Sequence, residues 1–362
     1  MVPMFWPAMP PEAAEAVKAV LNTRWIGQGP KVDELEAMAS EYFGRPCVAV
    51  NSGTAALHLA LILAGVKRGD EVLSPVLTCT ATNEAIMYQG ATPVLCDIDP
   101  YRMCLSVADA IKKITRNTKA IMVVHLNGTS ADMDELQRLA DRWQIPIIED
   151  AAQSMGSPNM VGRDDRRLTC FSFQAIKHIT TADGGMLVCR NKDEADRAKR
   201  LRWFGIDRKT KREMGWQSWK DGKLVFDITE VGYKYQMNDI AAALALCAWP
   251  YIDRWLKRRQ EIQQVYRHQL KGVRFFPDFG GSYWTFPLMV DRREEFMAAL
   301  DARGSESSLV QIRNDLYSIF GGKRLDLPNM NAIESQYVYL PLHTNLTDED
   351  VQTVIQAVNA GW

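Results

Sequence analysis

The sequence of 362 residues has few of the features that mark membrane, secreted, metal-binding or nucleic-acid-binding proteins. It contains five histidines and seven scattered cysteines with no C-x-x-C pair, so neither a zinc site nor a disulfide framework is indicated. No apolar run reaches the roughly 18 residues of a transmembrane helix, and residues 1–11 lack the basic start of a secretory signal. Lys and Arg total 43 against 44 Asp and Glu, which gives no general attraction to DNA or anionic membranes. We expect a cytoplasmic enzyme without a metal.

The order of apolar patterns predicts an α/β fold with two parts. Over roughly the first 245 residues, short apolar strands alternate with helical patterns, such as the helix predicted at 54–64. This alternation predicts a mostly parallel sheet that helices cover on both faces. Near Pro250 the pattern changes to a long basic amphipathic helix, an aromatic strand and a terminal helix capped by Thr347. We therefore predict a large α/β domain at 1–248 and a smaller α+β domain at 249–362.

Polar residues follow two of the predicted strands, where ligands of open α/β sheets bind. Asn51–Thr54 is a small-residue turn before a helix, and it suits a phosphate or an ordinary helix cap. Glu149 and Asp150 end the strand IPIIED, with Gln153 just beyond it. A carboxylate there can hold a cationic heterocycle or cap a helix. The glycine-rich loops of NTPases and dinucleotide-binding proteins do not occur in the sequence.

Lys177 lies between Ile176 and His178, in a short connection between two predicted strands. A lysine in apolar surroundings can extend its amine to water. Alternatively, burial can lower its pKa and make it a Schiff-base amine. A phosphate turn, a carboxylate with a nearby glutamine, and such a lysine are together what pyridoxal phosphate requires. The combination therefore favours an enzyme that uses this cofactor.

The chain resembles the DegT/DnrJ/EryC1/StrS family of nucleotide-sugar aminotransferases, which have fold type I of the pyridoxal-phosphate enzymes. The matching blocks, in chain order, are RWIGQGPKVDELE, NSGTAALHLAL, GDEVLSP, ATPVLCDID, EDAAQ, SFQAIKHITTADGGML, YKYQMNDIAAALAL and LPLHTNLTDEDV. They occur at matching intervals over nearly the whole chain. The resemblance implies a homodimer whose active site lies at the subunit interface.

The resemblance also implies a role for each matching residue. Lys177 would form the internal aldimine and then carry the proton between the cofactor carbon and the sugar carbon. Asp150 would pair with the pyridine nitrogen and keep it protonated. Gln153 would hydrogen-bond the ring hydroxyl. The contacts to the cofactor phosphate would come from Ser52, Gly53, Thr54 and Ser172.

At two cofactor-binding positions the sequence departs from the family pattern. Cys79, in SPVLTCTAT, stands where many relatives have an aromatic residue that stacks on the pyridine ring. A cysteine can pack there but offers no ring. Lys234, in YKYQM, stands where an asparagine reaches the phosphate from the neighbouring subunit. Lysine keeps a donor and adds a positive charge, which suits the cofactor phosphate or, alternatively, the nucleotide phosphates.

Two further segments are weaker candidates for substrate binding. Residues 197–212 hold eight Lys or Arg and one Asp, and most of these charges are expected on a solvated helix face. A few of them are candidates for contact with a nucleotide diphosphate. Arg313 and Asn314 lie in a block similar to one near the nucleotide-sugar pocket of the family. The alternative for these two residues is a cap on the small domain.

The predicted reaction is amination of a 4-keto-6-deoxy nucleotide sugar with L-glutamate as donor. GDP-4-keto-6-deoxymannose, giving GDP-perosamine, is the first candidate, and dTDP- or UDP-4-keto-6-deoxyglucose are alternatives. The residues alone do not separate amination at C3 from amination at C4. A sugar 3-dehydratase would carry a histidine in place of the lysine, but the spacing from Ser172 puts Lys177, and not His178, at that position. A non-enzymatic regulatory or binding protein would leave the combined motifs unexplained.

Overall fold

The computed structural model describes residues 1–158, 161–215 and 218–362. Its centre is a seven-stranded sheet in the order β1-β7-β6-β5-β4-β2-β3. The strands are β1 (Cys47–Val50), β2 (Glu71–Pro75), β3 (Thr92–Cys96), β4 (Thr118–Val124), β5 (Ile147–Asp150), β6 (Leu168–Ser172) and β7 (Gly185–Val188). Strand β7 is antiparallel to both neighbours, and the other paired strands are parallel. The predicted mostly parallel, mixed sheet is therefore confirmed.

Helices cover both faces of this sheet. The helices of this part of the chain are α1 (Ala13–Leu21), α2 (Pro30–Phe43), α3 (Gly53–Leu63), α4 (Thr80–Tyr88), α5 (Val107–Lys113), α6 (Met133–Trp143), α7 (Lys192–Leu201), α8 (Arg208–Glu213), which has no buried residue, and α9 (Asp239–Ala248). Alternate residues of β1 join different apolar clusters, Val48 and Val50 on one face and Cys47 and Ala49 on the other. Because side chains alternate along a strand, burial on both faces makes the strands continuous apolar runs.

A smaller α+β unit follows the large sheet along the chain. Its antiparallel sheet consists of β10 (Arg274–Phe275), β11 (Phe286–Met289) and β12 (Tyr337–Leu340). The helices α10 (Ile252–Gln269), α11 (Arg293–Ala302), α12 (Pro328–Ile333) and α13 (Asp348–Asn359) accompany it, and a separate hairpin of β8 (Trp219–Lys220) and β9 (Lys223–Leu224) precedes it. A capping box of Thr347 and Asp350 starts α13, as predicted. No helix in the described ranges is long and apolar enough to cross a bilayer.

One backbone segment of the smaller unit docks onto the carboxyl ends of the large sheet. The Ser282 N–H donates to the Gly128 carbonyl at 3.1 Å, and the Trp284 N–H donates to the Asn127 carbonyl at 3.0 Å. Gly128 has a φ of +84°, and a Cβ atom there would meet the Ser282 hydroxyl. Glycine therefore allows the two backbones to approach. The division at 248/249 falls just after α9 and stays a prediction.

Candidate active site

Strand pairing brings the ends of β1 and β6 together around β7. Gly185, the first residue of β7, is paired with Val50 on one side and with Ser172 on the other. The turn that follows Val50 and the last residue of β6 therefore lie beside each other. Asp150 ends β5, the next strand of the sheet. The predicted phosphate turn, Ser172 and Asp150 thus share one edge of the sheet.

Two glycines, Gly53 and Gly185, let the backbone pack closely around the start of α3. A Cβ atom at Gly53 would lie 2.8 Å from Cβ of Ser172, and one at Gly185 would lie 2.6 Å from the backbone carbon of Ser52. The Ser52 hydroxyl caps α3 by accepting from the Ala55 N–H at 3.0 Å. The first N–H groups of a helix have no partners within it, so a phosphate fits this turn.

The carboxylate of Asp150 is buried and held in place at the edge of the sheet. The Thr82 hydroxyl donates to its Oδ2 at 2.7 Å, and the Ala152 N–H donates to its Oδ1 at 3.1 Å. Thr82 in turn shares a hydrogen bond with Thr78. Two donors leave further lone pairs on the carboxylate. The geometry therefore suits contact with a protonated ring nitrogen.

Gln153 is oriented by a contact that the sequence did not predict. Its Oε1 accepts from the Asn127 N–H at 2.6 Å, so its amide NH2 group remains as a donor. Asn127 has a φ of +62°, a left-handed conformation that asparagine tolerates better than most residues. An asparagine followed by glycine after a strand was the available signal for this turn. The arrangement fits a ring hydroxyl as acceptor.

The pKa of Lys177 is set by burial, which lowers it, and by nearby acidic groups, which raise it. Burial lowers its pKa to about 8, against the opposite influence of Asp150 and Cys79. Its Nζ lies 4.0 Å from the centroid of the Trp284 ring. A pKa near 8 gives a substantial neutral, nucleophilic fraction near neutral pH. These features support the interpretation of Lys177 as a desolvated amine over that of a solvated one.

Glu149 has a different environment from that of Asp150, its neighbour on β5. The carboxylate of Glu149 accepts hydrogen bonds from Arg167 at 3.1 Å and from Thr169 at 2.6 Å. Burial acts to raise its pKa, but His125, Thr169 and Arg167 together hold it at about 2. Successive strand residues point to opposite faces. Glu149 therefore belongs to a buried ion-pair network, and Asp150 is the carboxylate at the site.

The two residues that depart from the family pattern both lie at the edge of this site. Cys79 is the exposed N-cap residue of α4, and its thiol is near enough to influence the pKa of Lys177. The Lys234 carbonyl accepts from Nδ2 of Asn51 at 3.1 Å. The Lys234 side chain is exposed, with Nζ 5.4 Å from the centroid of the Phe204 ring. The Lys234 backbone thus lies beside Asn51 of its own chain, and its side chain extends to the surface.

Arg313 and Asn314 lie in packed surroundings. Arg313 is fully buried, with donors to Asp315 at 2.6 Å and to other residues of the same unit. Nδ2 of Asn314 donates to the Thr78 carbonyl at 2.7 Å, and its Oδ1 accepts from Asn83 at 2.8 Å. These contacts hold the small unit against the loop before α4. They favour the predicted alternative of a small-domain cap over substrate contact.

Acidic residues from distant parts of the chain pair with the basic stretch at 197–212. Arg202 and Lys199 both bind the carboxylate of Glu36 on α2, and Arg197 pairs with Glu230. Burial acts to raise the pKa of Glu36, and the two cations hold it below its usual value. Arg197, Lys199 and Arg202 are therefore ion-paired within the chain.

The comparisons with known proteins agree on one family. The model of the DegT/DnrJ/EryC1/StrS aminotransferase family matches residues 7–359. The sugar aminotransferase CalS13 from Micromonospora echinospora has 32% identity and a TM-score of 0.91, with both chains covered completely. Spr1654 from Streptococcus pneumoniae, in its PLP form, has 29% identity and a TM-score of 0.88, with 99% of this chain and 98% of that chain covered.

A third relative is known from its sequence. Protein MJ1066 from Methanocaldococcus jannaschii is 32% identical over 381 residues, covering 99% of this chain and 96% of the relative. The predicted fold type and the predicted class, a pyridoxal-phosphate-dependent aminotransferase, are confirmed by these matches. The chain belongs to the DegT/DnrJ/EryC1/StrS aminotransferase family.

Proposed function

We propose that the enzyme transfers an amino group from L-glutamate to a 4-keto-6-deoxy nucleotide sugar. The observation that carries the proposal is that the turn at 52–54 lies against Ser172 at the end of β6, while Asp150 ends the neighbouring strand and acts on Lys177. Pyridoxal phosphate, when bound, supplies an electron sink for this chemistry. The turn suits its phosphate, and the side chains of Lys177, Asp150 and Gln153 suit its ring.

Each side chain has a distinct task in the proposed site. The Asp150 carboxylate, fixed by Thr82, would keep a proton on the ring nitrogen. The amide NH2 group of Gln153 would donate to the ring hydroxyl. Lys177 would hold the cofactor through its Nζ and, once released, would move a proton at that same atom. Burial favours its neutral form, which both tasks require.

The position of His178 supports amination over dehydration. Its Nε2 donates to the Ser282 carbonyl at 2.8 Å, and its ring is buried between the two units. The imidazole is therefore committed to the docking contact, whereas Lys177 lies beside Asp150 and Cys79. We infer that Lys177 is the reacting group, as an aminotransferase requires.

The proposed sugar rests on the family resemblance and on likeness to sugar aminotransferases. GDP-4-keto-6-deoxymannose is the first candidate, with GDP-perosamine as product, and dTDP- or UDP-4-keto-6-deoxyglucose follow. We also propose a homodimer in which Lys234 reaches the partner's cofactor phosphate. The exposed side chain of Lys234, beside its own phosphate turn, supports that arrangement.

The direct test is turnover with glutamate across a panel of 3-keto and 4-keto nucleotide sugars, followed by mass spectrometry of the products. We expect amination of the 4-keto-6-deoxy members, abolished in Lys177→Ala and retained in Lys119→Ala, an exposed lysine on β4. Preferred turnover of a 3-keto sugar would overturn the assigned position. Elimination of water without amination would instead favour a dehydratase.

A further inference from the structure

Trp284 is a large, fully buried side chain that the smaller unit contributes to the site. Its indole Nε1 donates to the Ile176 carbonyl at 2.9 Å, directly before Lys177 in the chain. The ring centroid lies 4.0 Å from Nζ of Lys177. One indole therefore contacts both the backbone and the amine of the Lys177 segment.

A second aromatic ring supports this indole. Phe5 stacks on Trp284 with ring centroids 5.5 Å apart and an angle of 28° between the planes. The Met4 N–H donates to Oε2 of Glu306 at 2.6 Å, and His343 donates to the Pro3 carbonyl at 3.2 Å. The first residues of the chain are thus anchored on the smaller unit, and they hold Phe5 against Trp284.

The segment that carries Trp284 is also tied to Gln153. The Ser282 hydroxyl donates to the Gln153 carbonyl at 2.8 Å. The Trp284 N–H donates to the Asn127 carbonyl, and the Asn127 N–H donates to the Gln153 side chain. A displacement of this segment would therefore move both Lys177 and Gln153.

We propose that Trp284 is a positioning residue, whose indole face holds the Lys177 ammonium group and whose N–H fixes the adjacent backbone. The proposal rests on the proposed function only in taking Lys177 as the reacting amine. Attraction between an ammonium group and an indole face is stronger where the groups are shielded from water, and here the indole is fully buried and the lysine is half-buried. The contact aligns the amine before it meets the cofactor.

The groups that face Lys177 define what a change at Trp284 will do. The carboxylate of Asp150 and the thiol of Cys79 favour the charged amine, and burial opposes them. His178 stays neutral, because burial holds its pKa well below 6.5. The indole face also favours the charged form of the Lys177 amine. Loss of an aromatic face at position 284 therefore shifts Lys177 toward its neutral form.

The test compares Trp284→Phe with Trp284→Leu in the full chain freed of cofactor. Both variants lose the indole N–H and much of the volume of the tryptophan side chain, but phenylalanine keeps an aromatic face. Competitive acylation at a series of pH values, read by mass spectrometry of the Lys177 peptide, gives the titration midpoint of this amine. We expect the midpoint in the leucine variant to lie about one pH unit below that in the phenylalanine variant. Equal midpoints would overturn the proposal.

Two controls keep the outcome interpretable. Trp143→Leu, at an exposed position, should leave the midpoint at its wild-type value. If the leucine variant fails to fold, biosynthetic incorporation of increasingly fluorinated tryptophan replaces it, because fluorine weakens the negative face of the ring. The midpoint should then fall with each added fluorine, and an unchanged midpoint would contradict the proposal. Since acylation needs no turnover, a failed aminotransferase assay would leave this result intact.

Discussion

At the residue scale, the two neighbouring carboxylates of β5 have separate tasks. Glu149 joins Arg167 and Thr169 on the buried face, where its charge is balanced within the protein. Asp150 lies at the edge of the sheet, held by Thr82 and the Ala152 N–H. The alternation of side chains along a strand separates a structural acid from one available to a ligand.

This separation predicts opposite effects of two amide substitutions. Asp150→Asn should keep the fold but lower turnover by at least about 100-fold, because the amide cannot keep the ring nitrogen protonated. Glu149→Gln should instead lower the free energy of unfolding by about 3 kcal/mol, since the buried Arg167 loses its fully buried carboxylate partner and keeps the ion pair with Asp164. Thermal unfolding, and turnover of glutamate with one keto sugar, are measured on both variants to check these two predictions. Near wild-type turnover in Asp150→Asn would assign the ring contact to another acid.

Sequence motifs identified the site residues that lie close together along the chain. They missed the residues that the smaller unit brings to the site when it packs on the large sheet. Asp150 and Gln153 are three positions apart at one strand end, and Lys177 follows the next strand. Trp284 reaches the same place from the smaller unit, more than a hundred residues later. Its only sequence signal was the aromatic strand, which periodicity assigns to a core.

At the element scale, helices with strong local signals were predicted closely. The helix predicted at 54–64 is α3, Gly53–Leu63, and its cap Ser52 accepts from the Ala55 N–H. Helix α8 and the hairpin of β8 and β9 were not predicted, because they are short and have no buried face that would give a periodic apolar pattern. Pairing of the basic stretch with Glu36 and Glu230 was also beyond the sequence, since these contacts join distant elements.

Helix α3 makes stability depend on pH through a buried histidine. His58 contacts the Tyr235 hydroxyl at 3.0 Å, and burial lowers its pKa to about 4 from 6.5. Below pH 6.5 the unfolded chain takes up a proton that the folded chain does not, so the free energy of unfolding falls as pH decreases. The slope added by His58 is at most about 1.4 kcal/mol per pH unit between these values.

Denaturant unfolding at pH 7, 6, 5 and 4.5 checks this dependence. His58→Gln keeps a hydrogen-bonding side chain but does not titrate, so its unfolding free energy should fall less steeply with decreasing pH than that of the wild type. His268→Gln, at an exposed position on α10, should keep the wild-type slope. An identical slope in the His58 variant would show that this histidine is not held neutral by the fold. His178 and His343, whose pKa values burial also lowers, contribute to the remaining slope.

At the scale of the whole molecule, the proposed dimer makes each active site depend on two chains. If Lys234 serves the partner's site, mixing Lys177→Ala with Lys234→Ala under conditions of subunit exchange should restore activity. Half of the exchanged dimers are then heterodimers with one intact site, so about a quarter of wild-type activity is expected. No recovery above the separate variants would place Lys234 outside the partner's site.

The matched control mixes two variants whose substitutions both affect the site of the chain that carries them. Mixing Lys177→Ala with Asp150→Asn leaves one lesion in every site of every dimer, so no recovery is expected. Both residues lie at the strand ends of the same chain, and Asp150 influences the pKa of Lys177 there. Recovery in this mixture would indicate refolding or contamination and not sharing of sites.

Borohydride reduction of the purified enzyme shows whether Lys177 is the lysine that carries the cofactor. The reducible bond forms only at the amine that holds pyridoxal phosphate, and burial of Lys177 beside Asp150 provides such an amine. Digestion and mass spectrometry should find the reduced cofactor on the peptide containing Lys177 and on no other. The label on a different lysine, or on none after reconstitution with the cofactor, would show that Lys177 does not hold pyridoxal phosphate.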